Sequence, residues 1–152
     1  MKIRLGYVAL PVTIPITASK TITLTNYLKL GKKRGENKRS IVFEENLINF
    51  LEILKYNQSN NIHFYRMTSH LVPLLTYKDS YNNILLKYQS KLQEIGNYIR
   101  NNSMRVDMHP DQFLVLNSIN PNVVESTTTA LNYYYELMKR LNLNTNIILH
   151  VG

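Results

Sequence analysis

The chain has no cysteine and no tryptophan, only five glycines and five prolines, and ten acidic residues against eighteen basic ones in 152. Without cysteine there is no disulfide, no zinc–thiolate centre and no thiol nucleophile, which suits a reducing compartment. No run of about 18 apolar residues occurs, so nothing reads as a membrane-spanning helix. The start lacks the apolar core of a secretion signal: Met1-Lys2-Ile3-Arg4-Leu5-Gly6-Tyr7 goes directly into a strand-like pattern. These absences describe a cytoplasmic protein. The length is that of one domain, able to bury roughly 70% of its unfolded surface.

The shortage of acid leaves a formal net charge of +8. Such an excess favours a phosphate-rich partner through counter-ion release and steering, or is simply a solvated basic surface. The densest cluster is Lys32, Lys33, Arg34, Lys38 and Arg39. It reads either as a solvated helix start or as a set of contacts to DNA phosphates.

Hydrophobic periodicity places a buried strand over residues 2–8, followed by a long irregular stretch from Ala9 to Gly35 with two prolines and five threonines. A helix is expected over 36–57, with Ile41, Leu47, Phe50, Leu51 and Leu54 inward. A second strand spans 61–69. A second helix runs over 81–100, capped by Asp79 or Ser80, with Ile84, Leu85, Tyr88, Leu92, Ile95 and Ile99 inward. A third strand, 103–108, ends before Pro110. Asn120-Pro121 starts a third helix to about Leu141, with Val124, Thr128, Leu131, Tyr135 and Met138 inward. A fourth strand covers 146–151. Strands alternating with helices of this length imply an α/β fold, a parallel sheet of about four strands with three intervening helices.

Three of the four histidines, His70, His109 and His150, then stand at the carboxyl ends of successive strands, 39 and 41 residues apart. Ligands bind at that end of parallel sheets. Three neutral imidazoles at one rim can share a divalent metal. His63 has opposite strand parity to His70 and reads as a packed or surface histidine. Arg66 shares a face with Thr68 and His70, as Arg105 and Asp107 do with His109. A buried charge needs a partner, so Asp107 is expected to pair with Arg105 or Arg66. That set is a satisfied polar layer or a phosphate contact. Beyond Pro110, Gln112-Phe113 could stack on a base and bond its edge, or Phe113 could pack under its own loop. Tyr7 poses the same choice.

Taken together, Arg4-Leu5-Gly6-Tyr7, the run from Phe64 to Pro73, Met108-His109-Pro110-Asp111-Gln112-Phe113 and Leu149-His150-Val151-Gly152 closely resemble the UV-damage endonuclease family in order and spacing. The resemblance spans the whole chain and the amino-terminal half of the family's domain. It implies a TIM barrel, here a partial (β/α)8 barrel truncated after its fourth strand, since a full one needs about 250 residues. It implies nicking of DNA 5′ of ultraviolet photoproducts with two or three divalent metals, usually manganese. Carried over, His70, His109 and His150 become metal ligands, and Gln112 and Phe113 the pair that probes double-stranded DNA at the lesion. The family often has tyrosine where Phe113 stands, so stacking is kept and a hydroxyl lost. Tyr7 would line the damage pocket. Leu10 is apolar where the family can place a polar residue.

The family's carboxylate ligands belong to later strands, so the fragment is expected to be incomplete for catalysis. Pairing of two copies into an eight-strand homodimer is one outcome of that truncation; an open half-barrel is the other. The competing readings are a metal-dependent sugar isomerase on the same barrel and a non-catalytic DNA-binding half-barrel.

Overall fold

The computed structural model of the chain describes residues 4–77, 81–144 and 146–150. Three parallel strands form one sheet in the order β1-β2-β3: β1 (Gly6–Val8), β2 (Phe64–Thr68) and β3 (Arg105–His109). The register pairs Tyr7 with Tyr65, and Arg66 with Asp107. A fourth segment adds one bridge, Met108 to Ile147, with Met108 N donating to Asn146 O at 2.9 Å and Ile148 N to Met108 O at 3.0 Å. The fourth strand of the sequence reading is thus a single rung among the described residues. The proposed caps Asp79 and Ser80 lie outside them.

Four helices follow in order: α1 (Leu24–Ser59), α2 (Tyr81–Lys87), α3 (Gln89–Asn101) and α4 (Pro121–Arg140). They pack on the sheet face carrying Tyr65, Met67, Val106 and Met108, and all four of these side chains are buried. Each fully buried leucine or phenylalanine contributes about 1.5–3 kcal/mol of transfer free energy. Leu47, Phe50, Ile53 and Leu54 supply that from α1, Leu92 and Ile95 from α3, and Tyr134 and Leu137 from α4.

Helix α1 departs most from the sequence reading. It begins at Leu24, not Glu36, because Thr23 caps it: its hydroxyl accepts from Asn26 N at 3.3 Å. Gly31 breaks it with φ 72° and ψ 161°, a conformation that only glycine adopts without strain. The break is local. Tyr27, buried before it, donates to Glu36 beyond it and packs edge-on against Tyr77 at 5.6 Å. Arg39 is fully buried, not a surface cation. Its Nε donates to Pro73 O at 2.7 Å and its Nη2 to Leu74 O at 3.2 Å. Burial pulls its pKa below the ordinary arginine value, and Glu36, 3.6 Å away, opposes that shift.

Two further differences have simple causes. The expected second helix is divided at Tyr88, whose hydroxyl donates to Ser40 O at 2.9 Å on α1. Helix α4 buries Thr127, Ala130, Tyr133, Tyr134, Leu137 and Met138; of the residues expected inward, Met138 is buried, Val124 and Leu131 are half-buried, and Thr128 and Tyr135 face out. Two apolar stripes one residue apart run along this helix. The sheet takes the one whose small Thr127 and Ala130 allow close approach.

Candidate metal and DNA site

The carboxyl ends of the strands converge on a pocket of about 380 Å³. Its walls are Thr68 and Ser69 after β2, His109, Asp111, Gln112 and Phe113 after β3, and His150. Val8 and Ala9 close it from β1. Pro110 has no N–H for the ladder and turns the chain out of β3. Leu114 then anchors the loop in the core, and Leu114 N donates to Asp111 O at 3.0 Å. That leaves Phe113 70% exposed at the pocket edge. It does not pack under its loop; Leu114 does.

His109 and His150 stand together, ring centroids 5.1 Å apart and planes at 84°. His70 is not with them, and among the described residues no three histidine, aspartate or glutamate side chains form a metal-sized cluster. The strand alternation that put His70 on the rim face stops at Thr68. Ser69, His70 and Leu71 form a 3₁₀ turn, capped by the Thr68 hydroxyl, which accepts from His70 N at 3.2 Å. In kind the donors suit a divalent transition metal, and two are already adjacent, so the residues fit as part of a ligand set.

A hydrogen-bonded chain still ties His70 to the pocket. Ser69 Oγ donates to Asp111 Oδ1 at 2.7 Å and lies 3.3 Å from His70 Nδ1. A serine hydroxyl has one proton. Given to Asp111, it leaves Ser69 Oγ as an acceptor, which favours the His70 tautomer with its proton on Nδ1. Beneath this loop lies Tyr134, whose hydroxyl is pushed above the ordinary phenol value by burial and then by the Asp111 charge. Ser69 and Asp111 fall within the motifs quoted from the sequence, but nothing there gives either one a role. The only available signal was their place beside two strand-end histidines.

Tyr7 is not at the pocket. Strand parity opposes it to Gly6 and Val8, so it points into the helix layer, where its hydroxyl donates to Asn57 Oδ1 at 2.7 Å. It packs edge-on to Tyr65 at 5.2 Å. Burial raises its pKa, and the bond to Asn57 partly offsets that.

The polar residues Arg105 and Asp107 of β3 line a separate cavity with Arg4, Arg100 and Asn142. Asp107 is fully buried and takes two bonds from Arg105, Nε at 3.0 Å and Nη2 at 2.6 Å. The carboxylate raises the Arg105 pKa in return. Arg66 lies opposite Asp107 in register, yet it is not the arginine bonded to it. Both guanidiniums lie over the Phe64 ring, Arg66 at 5.7 Å and Arg105 at 5.0 Å from its centroid. Arg66 Nε is buried without a hydrogen-bond partner among the described residues. His63, just before β2, is half-buried, and its Nδ1 is likewise unpaired. Lys32, Lys33 and Arg34 are exposed on α1, and none of them lines this pocket.

A family model described as UV-endonuclease UvdE matches residues 3–152. The chain belongs to that family. A UV DNA damage endonuclease of Halalkalibacterium halodurans is 34% identical over 157 residues, covering 100% of this chain and 49% of that protein. One from Bacillus pumilus is 30% identical over 155 residues, covering 100% and 48%. The crystal structure of SacUVDE superimposes with a TM-score of 0.88 at 32% identity, covering 99% of this chain and 50% of that one. The chain spans about half the length of the relatives it matches. Its fold is accordingly part of a TIM barrel, and family membership sets aside the sugar isomerase reading.

Proposed function

We propose that this chain is the DNA-facing, metal-binding half of a repair endonuclease that nicks DNA 5′ of ultraviolet photoproducts. The observation that carries the reading is one pocket that places the His109–His150 pair next to an exposed Gln112-Phe113 loop, in a member of the UvdE family. His109 and His150 would hold a divalent metal, with His70 joining them through its Nε2. Manganese is the leading candidate; bound there, such an ion supplies positive charge for the phosphodiester and acidifies water.

The chain's own residues do the recognition. Phe113 offers an aromatic face for stacking on an unstacked base, and Gln112 offers both a donor and an acceptor for a base edge. Remaining ligands, carboxylates above all, would come from outside the described residues, from further chain or from a second copy. The reaction belongs in the cytoplasm, on double-stranded DNA.

The test is binding of the chain to ultraviolet-irradiated and plain duplexes with manganese present. Preference for the irradiated duplex is expected, and Phe113→Ala should abolish the preference while leaving plain-duplex affinity within about twofold, since stacking acts on the splayed base and phosphate contacts do not discriminate. Equal affinity for both duplexes would sink the lesion reading. Calorimetry with manganese should show binding that His109→Ala with His150→Ala removes.

A further inference from the structure

We infer that a groove along the first part of α1, outside the pocket, seats the sugar–phosphate backbone of duplex DNA flanking the lesion; this rests on the DNA reading above. The groove measures about 950 Å³. Lys29, Lys33, Arg34 and Lys38 form its rim, with Leu30 and Ile41 among its walls. Among the described residues, no carboxylate lines it.

The rim cations, like Lys32 and Lys87, have no carboxylate partner among the described residues. Lys20, Lys55, Lys91 and Lys139 each pair with a glutamate, whereas all four rim cations are exposed and unpaired among the described residues. Four like charges along one groove repel one another unless an anion joins them. On a helix, residues four apart stand about 5–6 Å apart at Cβ, so Arg34 and Lys38 repeat at a spacing of the same order as successive phosphates on a strand. The partner is therefore a repeating anion. Leu30 and Ile41, 42% and 53% exposed, offer an apolar surface that solvated charge alone does not need but the faces of deoxyribose can use.

Position supports the same occupant. Downstream on α1, Arg39 bonds the carbonyls of Pro73 and Leu74, and Asn46 those of His70 and Leu71, all in the turn after β2. The start of α1 is thus fixed at the end of the sheet where the pocket opens. A duplex presented to Gln112 and Phe113 would carry its flank toward the groove. Lys29 and Leu30 line the groove and Lys32 does not.

Lys32 is therefore a built-in control. Affinity of the whole chain for a short plain duplex is measured across a salt series. Log affinity falls with log salt by roughly 0.9 for each phosphate contact. The combined variant Lys29→Gln, Lys33→Gln, Arg34→Gln, Lys38→Gln is expected to lower that slope by about 3.6 units, at 0.9 per contact, and Lys32→Gln to leave it unchanged. Ile41→Ser should weaken binding several-fold at an unchanged slope. A slope unaltered in the fourfold variant overturns the inference, and so does an equal loss from Lys32→Gln, which would mean diffuse attraction. An acidic amphipathic peptide or an anionic vesicle that needs the four cations when the duplex does not would reassign the groove and overturn it too. Because the duplex is undamaged, failure of lesion preference leaves this result standing, and loss of the groove leaves the lesion test standing.

Discussion

Ser69 decides how His70 presents itself. Its single proton goes to Asp111, and its oxygen then favours a proton on His70 Nδ1. Ser69→Ala removes the link, and a free imidazole favours the proton on Nε2. Nitrogen NMR of the neutral rings should find His70 protonated on Nδ1 in the parent and shifted toward Nε2 in the variant, with His63 unmoved; an unchanged His70 would show that the link is idle. The histidines themselves were legible in the sequence, because parallel strands aim their carboxyl ends at one rim. The link was not, since it joins two loops whose approach depends on the whole sheet. Arg39 was legible and overlooked. Positions 39, 43, 46, 50, 53 and 57 step by four and three along α1 and are all buried. The hydrophobic pattern breaks at Arg39, Asn46 and Asn57, but the period does not.

Among the elements, Gly31 has the largest effect on shape. A Cβ there meets nothing within 4 Å, so space is not the constraint; the backbone conformation is. Gly31→Ala should cost about 1–3 kcal/mol in urea unfolding if the break persists. It should also widen the groove by loosening the Tyr27–Glu36 contact across the break. The reading of 9–35 as irregular rested on two prolines, five threonines and a basic run between two glycines; it holds for 9–23, and of the two glycines only Gly31 interrupts the helix. Helix α4 shows the converse difficulty. Its periodicity was clear, yet two stripes satisfied it, and the choice between them lies in the shape of the sheet. Where one stripe was available, as on α3, every inward residue named from the sequence is buried.

For the whole molecule, the parallel order was readable because strands joined by long helices can hardly pair otherwise. Strand lengths were not, since hydrophobic runs overshoot the hydrogen-bonded ladder at both ends. The sheet is graded in support. Strand β2 has neighbours on both sides, β1 on one, and residues 146–148 hold by a single bridge. Native-state hydrogen exchange should follow that order, slowest at Tyr65 and Met67, faster at Val8, fastest at Ile148. Protection at Ile148 equal to that at Met67 would contradict it. The turn after β2 also has an unusual dependence on another part of the chain. Its carbonyls are met by Arg39 and Asn46, seven residues apart on one face of α1. An insertion of one residue between them would rotate one against the other by about 100° and leave those carbonyls bare. The tolerance of the His70 turn to insertions and deletions is therefore written some thirty residues upstream, in a helix that never enters the pocket.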